Sequence, residues 1–185
     1  MFTGIVEIYE KVLKIGENFL EINRPKIFEK LKIGQSISIN GACLSIVNFD
    51  TKKMRFEIMK ETFARTNLKN SKFVNLERAM MINSRFEGHC VLGHVDGFLK
   101  FLEKKGEKFS FQKPRKFEKF FVEKGSISLN GISLTIANDL EKYFEVGIIP
   151  QTLEKTNFQF LQKNDLVNFE CDVLAKYFLK WSKNF

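Results

Sequence analysis

The chain is short of the residues that build cross-linked or metal-held folds. Its 185 residues include three cysteines, Cys43, Cys90 and Cys171, which are odd in number, far apart and form no Cys-x-x-Cys. That pattern argues against a disulfide framework and a structural zinc site, and reduced thiols suit the cytoplasm. No apolar run approaches the ~20 residues of a membrane-spanning helix. The opening Met1-Phe2-Thr3-Gly4-Ile5-Val6-Glu7 has neither the basic start nor the apolar core of a signal peptide. A soluble cytoplasmic protein without a membrane partner is expected. Clustered positive charge is also missing. The net charge is +8, yet lysine is spread along the chain and interleaved with glutamate, as in Glu29-Lys30, Glu118-Lys119 and Glu154-Lys155. A nucleic-acid site wants its basic residues gathered on one face among exposed aromatics, and no tract supplies that, so no nucleic-acid partner is expected.

What the chain has in quantity is apolar material, 44% of residues with 21 phenylalanines, and an internal repeat. Ser36-Ile37-Ser38-Ile39-Asn40-Gly41-Ala42-Cys43-Leu44-Ser45-Ile46 returns roughly 90 residues later as Ser126-Ile127-Ser128-Leu129-Asn130-Gly131-Ile132-Ser133-Leu134-Thr135-Ile136. Each copy alternates polar and aliphatic residues into and out of Asn-Gly, the pair that tolerates the positive φ angles of a two-residue hairpin turn. Side chains alternate along a strand, so Cys43 shares a face with Ser45, and Ser133 with Thr135. Two short polar groups on one face of a repeated strand point to two related pockets.

Around each hairpin the same order of elements is expected. Ile5 to Leu13 reads as a strand, Phe19 to Ile22 as its partner, and Pro25 to Leu31 as a helix. The outgoing hairpin strand runs to about Phe49, Met54 to Met59 pair back, Lys60 to Asn67 make a helical turn, and Phe73 to Met81 close the set. The second half echoes this at Gly93 to Asp96, Lys113 to Lys119, Gln151 to Asn157 and Val167 to Glu170. The fold class is therefore all-β: two tandem homologous six-stranded closed barrels with short helices, since closure removes exposed strand edges. The expected units are residues 1–86, 87–173 and a terminal helix over 174–185. In that helix Leu174, Tyr177, Phe178 and Trp181 recur at i, i+3, i+4 and i+7. Such a stripe must be covered, by its own barrel or by another subunit, and deletion from Leu174 onward should distinguish these by mass.

Only two histidines occur, and both lie in Gly88-His89-Cys90-Val91-Leu92-Gly93-His94-Val95-Asp96. Three readings stand for them: a metal site, a structural pair, or catalytic proton transfer near pH 7. The spacing matches no zinc pattern, and residues five apart on a strand point oppositely. His94 stands where the first half has Ile5, Ser133 where it has Cys43, and Gln151 where it has Glu61. Two like pockets with unlike side chains would suit a reaction that consumes two copies of one substrate.

The motifs together resemble the riboflavin synthases of alpha-chain type, in the lumazine-binding domain family. They are Met1 to Glu7, Asn40 to Ser45, Lys60-Glu61-Thr62 with Thr66-Asn67-Leu68, Val74 to Ala79, Gly88 to Gly97, Gly131 to Thr135 and Ile149 to Thr156. The resemblance covers essentially the whole chain in order. It implies two barrels per subunit, a homotrimer held partly by the terminal helix, and no metal or bound cofactor. It also implies four-carbon transfer between two molecules of 6,7-dimethyl-8-ribityllumazine, one per barrel, where barrels of neighbouring subunits meet.

By position, the resemblance makes His94 the group for proton transfer, Ser133 with Thr135 a hydrogen-bonding pair at the ring, and Cys43 a nucleophile or a guide for water. Lys124 and Asp172 match charged positions beside the reacting pair. The substrate-binding stretches it implies are Phe2, Thr3, Gly4, Ile5 and Val6; Cys43, Leu44 and Ser45; Lys60, Glu61 and Thr62; Gly93, His94 and Val95; Lys124; Ser133, Leu134 and Thr135; and Ile149, Pro150, Gln151 and Thr152. Ser45 replaces a usual Thr and keeps its hydroxyl. Gln151 replaces a usual His or Glu and removes the charge. Plainer readings exist: Cys43 as a buried hydrophobe, Ser133 and Thr135 as strand filler, Lys124 and Asp172 as surface charges. For the whole chain the alternative is a non-catalytic lumazine- or flavin-binding protein. Association with other riboflavin-pathway enzymes is left open.

Overall fold

Both Asn-Gly pairs make the two-residue turn their alternation predicts. Asn40 and Gly41 take φ of 46° and 82°, and Asn130 and Gly131 take 46° and 79°. In the computed structural model, which describes residues 1–182, the first turn joins β3 (Ser36–Ile39) to β4 (Ala42–Phe49). Four further strands, β1 (Ile8–Ile15), β2 (Phe19–Asn23), β5 (Lys53–Glu57) and β6 (Phe73–Arg78), complete a closed antiparallel barrel in the order β1-β2-β5-β4-β3-β6. The second half repeats that order with β7 (Gly97–Lys105), β8 (Lys108–Gln112), β9 (Ser126–Leu129), β10 (Ile132–Asp139), β11 (Tyr143–Gly147) and β12 (Leu166–Cys171). Short helices α1 (Lys60–Arg65) and α2 (Pro150–Lys155) precede the last strand of each barrel, and α3 (Val173–Ser182) ends the described chain. No helix among the described residues is long and apolar enough to cross a membrane.

Three expectations need correction. The first strand begins at Ile8, because Ile5 to Glu7 leave the barrel wall for the seam between the halves. Its last strand ends at Arg78 rather than Met81. The stretch from Pro25 is a turn and not a helix: Phe28 N–H bonds back to Pro25 C=O at 3.0 Å, and Lys30 then takes φ 52°, which stops helical propagation. Residues 183–185 of the expected terminal helix lie outside the described residues.

Six strands enclose only enough room for side chains. The first barrel is filled by residues such as Leu20, Ile37, Leu44, Ile46, Phe56 and Leu76, the second by Phe101, Phe109, Phe111, Leu134 and Phe144. Ligand chemistry must therefore sit on the outside of the wall.

The halves meet about a local two-fold at the hairpin turns. A Cβ on Gly41 would stand 2.9 Å from Gly131 N, and one on Gly131 would stand 2.8 Å from Gly41 N, so neither turn accepts a side chain. Around this contact six buried asparagines close a ring. Asn75 Nδ2 donates to Asn130 C=O (3.0 Å) and Asn168 Nδ2 to Asn40 C=O (2.9 Å). Asn67 N–H donates to Asn168 Oδ1 (2.6 Å) and Asn157 N–H to Asn75 Oδ1 (2.7 Å). Each buried amide left unpaired would cost about 1–3 kcal/mol, so the ring fixes the mutual pose of the barrels through satisfied polar groups.

Candidate active site

The crossing segments decide the site. Gly4 C=O accepts the Ser133 N–H of the second barrel at 2.8 Å, and Gly93 C=O accepts the Cys43 N–H of the first at 2.9 Å. Both need glycine: a Cβ on Gly4 would lie 2.6 Å from Ser133 Cβ, and one on Gly93 2.5 Å from Cys43 Cβ, at φ of 77° and 79°. Val6 packs on the second core and Val95 on the first. The sequence alignment of the halves holds, but each segment serves the opposite barrel. His94 is therefore a neighbour of Cys43, and Ile5 a neighbour of Ser133.

On the second-barrel face, Ser133 and Thr135 point outward from β10. Ser133 Oγ lies 2.7 Å from His89 Nδ1, and His89 is only 8% exposed. Burial pushes the His89 pKa below the usual imidazole value, and the nearby Asp172 carboxylate acts in the opposite sense. Burial thus favours the neutral ring, which accepts the serine proton at Nδ1 in the tautomer that carries its own proton on Nε2. Three contacts hold it. His89 N–H donates to Thr3 C=O (3.0 Å), Phe2 and Val91 exchange backbone hydrogen bonds, and Gly88 passes so close to Thr3 C=O that a Cβ would lie 1.9 Å from that oxygen. Thr3 N–H and Oγ1 and Gly4 N–H in turn donate to the Glu77 carboxylate.

Phe2 (0% exposed) and Thr3 (7%) therefore brace His89 from within and do not form an open ligand surface. Asp172 is the N-cap of α3, its Oδ1 accepting Leu174 N–H at 2.8 Å. Lys124 is exposed at φ 66°, where the first repeat has Gly34 at 82°; a side chain there costs about 1–2 kcal/mol. Ile136 pairs with Val146, so the end of β11 runs toward Leu134, and Ile149, Pro150, Gln151 and Thr152 follow at the start of α2.

On the first-barrel face, Cys43 is half-buried and Ser45 exposed, both outward on β4. His94 is exposed, and among the described residues its ring makes no hydrogen bond. Its backbone is fixed, because Leu92, Gly93 and His94 N–H all donate to the Glu170 carboxylate at 2.8–2.9 Å. Burial raises the pKa of Glu170, as it does for its counterpart Glu77, against the lowering effect of these N–H donors. Pairing of Ile46 with Phe56 directs the end of β5 toward Leu44, and Lys60, Glu61 and Thr62 follow at the start of α1. Glu61 pairs with Arg65 at 2.9 Å and Lys60 with Glu17 at 3.8 Å, both in solvent and worth under about 1 kcal/mol. Leu44 and Leu134 turn into the cores and offer a ligand only their backbone.

The chain thus gathers Cys43 with His94 on one face and Ser133 with His89 on the other. Among the described residues no hydrogen bond joins the two sets. His89 is the functional residue that the sequence does not single out; the signal beside it is Gly88, which has to be glycine because the backbone passes against Thr3 C=O. A cleft of about 760 Å³ opens elsewhere, lined by Asn67, Phe73, Asn157 and Phe160. It touches none of the chemistry-bearing side chains, and its Asn67 and Asn157 amides are already bonded within the ring.

The family described as "Lumazine binding domain" matches residues 3–79 and again 92–172. Riboflavin synthase of Bacillus subtilis is 38% identical over 98% of this chain and 89% of its own length. That of Actinobacillus pleuropneumoniae is 36% identical over 96% and 87%, and that of Schizosaccharomyces pombe 37% over 96% and 91%. Among solved structures, LumP complexed with riboflavin superposes with a TM-score of 0.83 at 23% identity, over 92% of this chain and 99% of that one. LumP complexed with 6,7-dimethyl-8-(1'-D-ribityl) lumazine gives 0.81 at 22%, over 92% and 98%. At that identity the likeness speaks to the fold.

Proposed function

The chain belongs to the riboflavin synthase family of paired lumazine-binding domains, a family of transferases, and from that membership we propose how its two faces divide the reaction. Two molecules of 6,7-dimethyl-8-ribityllumazine bind, one on each outer barrel face. A four-carbon unit passes from one to the other, leaving riboflavin and 5-amino-6-ribitylamino-pyrimidinedione, with no other reactant needed for balance. The observation that carries this division is the contact between the half-buried Ser133 and the buried His89, which the first barrel does not duplicate.

The ring methyl of the lumazine is acidic, and its proton needs an acceptor. Neutral His89, acting through Ser133, supplies one on the second face, and we assign Thr135 and Lys124 to favour the developing anion. In this reading Cys43 and His94 serve the partner ring on the first face, Cys43 as nucleophile or guide for water and His94 in proton exchange. Holding both rings together replaces a bimolecular encounter by fixed geometry, which in favourable systems contributes about 7–11 kcal/mol.

The two faces are brought together across subunits of a homotrimer. The terminal helix supports this, because Leu174, Tyr177, Phe178 and Trp181 are 70–76% exposed and its own barrel covers none of them. The three free thiols support a cytoplasmic setting.

Incubating the purified protein with the lumazine alone tests the reading. Riboflavin fluorescence should appear without added cofactor, one riboflavin for two lumazines consumed. A stable complex with the lumazine unchanged would make the protein a binder instead.

A further inference from the structure

The two repeats hold the carboxylate that follows each crossing segment in different ways. In the first, Glu7 N–H donates to Leu76 C=O, and the Glu7 carboxylate accepts the Arg78 N–H (2.7 Å) while pairing with the Arg78 guanidinium. In the second, Asp96 N–H donates to Phe169 C=O, and the Asp96 carboxylate accepts the Cys171 N–H (2.8 Å). Cys171 thus occupies the place of Arg78 and brings no cation. The missing charge arrives from the terminal helix instead. Lys176 Nζ lies 2.6 Å from Asp96 Oδ2, with side chains 29% and 18% exposed. The same ammonium favours the ionised form of Glu170, which grips the N–H groups of Leu92, Gly93 and His94. One lysine of α3 therefore pairs directly with Asp96 and adds its charge to the field at Glu170, the two carboxylates that fix the His94 segment.

We propose that Lys176 is a positioning residue for His94, tying the segment Leu92 to Asp96 to the terminal helix so that the pose of that helix sets the pose of His94. The first barrel has no such link, since Arg78 closes its pair within the barrel wall. Whatever packs on α3 is then felt at His94 and not at Ile5. The catalytic half of the inference rests on the reading of His94 given above; the structural half does not.

Amide hydrogen exchange in the full chain tests it, comparing wild type with Lys176→Met, Lys176→Arg, Asp96→Asn and Arg78→Met. Lys176→Met and Asp96→Asn should each speed exchange of the Leu92, Gly93 and His94 amides roughly tenfold. Lys176→Arg should restore protection. Arg78→Met should leave those amides at the wild-type rate and loosen Thr3 and Gly4 instead. In turnover, Lys176→Met should lower kcat roughly tenfold with KM within about twofold, and Arg should recover it. Unchanged exchange in Lys176→Met would overturn the proposal, as would a rise shared equally by both crossing segments or one that Arg fails to reverse. Faster exchange with unchanged kcat would remove the positioning role. If exchange responds as stated while wild type forms no riboflavin, the functional reading fails and the coupling stands.

Discussion

Replacing Ser133 with Ala should lower kcat for riboflavin formation by about 10²–10³-fold, within the range expected for removing a positioned proton relay. The hydroxyl sits 2.7 Å from His89 Nδ1 and is the only part of that relay that reaches the outer face. Thr135, the Gly4 carbonyl and the barrel wall remain, so KM should change far less than kcat. The pH profile gives a second handle. Burial depresses the His89 pKa, so the imidazole remains unprotonated below its usual value of about 6.5, and the acid limb of kcat should lie beneath that pH. His89→Gln should abolish that limb along with most of the rate. The stability consequence runs in the same direction. Between the unfolded and folded pKa values the unfolded chain binds the proton and the folded chain does not. Stability therefore falls as pH is lowered through that window and levels off beneath it. Steady-state kinetics and denaturant midpoints across this range check both statements. A Ser133→Ala enzyme within threefold of wild type would remove the pair from the mechanism.

The second large effect is expected at the terminal helix. Converting Tyr177, Phe178 and Trp181 together to Glu should reduce the mass in light scattering to one third and cut riboflavin formation at micromolar protein by more than about 10²-fold. Each of these rings is at least 70% exposed in the isolated chain, and burying one contributes about 1.5–3 kcal/mol. Three charges in their place would make burial prohibitive. Lys176 is untouched, so its link to Asp96 within the chain survives and any loss is traced to assembly. An unchanged mass with full activity would show that the stripe has another purpose.

These expectations draw unequally on sequence and structure. Strand alternation has a period of two and is a local property, which is why the hairpins at Asn40-Gly41 and Asn130-Gly131, and with them the paired barrels, could be read directly. Pro25 misled because a proline at a helix start is permissive rather than sufficient; Lys30 turns left-handed and the stretch stays a turn. The crossing of Gly4 to Ser133 and of Gly93 to Cys43 left no periodic trace, since it depends on backbone contacts between residues far apart in the chain. The same holds for the asparagine ring: Asn67 and Asn75 stood out as motif residues, but their partners Asn130 and Asn168 lie in the other repeat. Cys43, His94 and Ser133 could be picked from the chain one by one. Their division into two faces could not, and neither could the seating of His89 behind Ser133.

The central claim is that one reaction site takes its first-barrel face from one subunit and its second-barrel face from a neighbour. Mixing His94→Ala subunits with Ser133→Ala subunits, each nearly inactive alone, tests it most directly. After dissociation and reassembly at equal amounts, about a quarter of the junctions join an intact first face to an intact second face. Riboflavin formation should recover to about that fraction of wild type. Activity no higher than that of the two parents would mean that each chain builds its site alone, and would contradict the account.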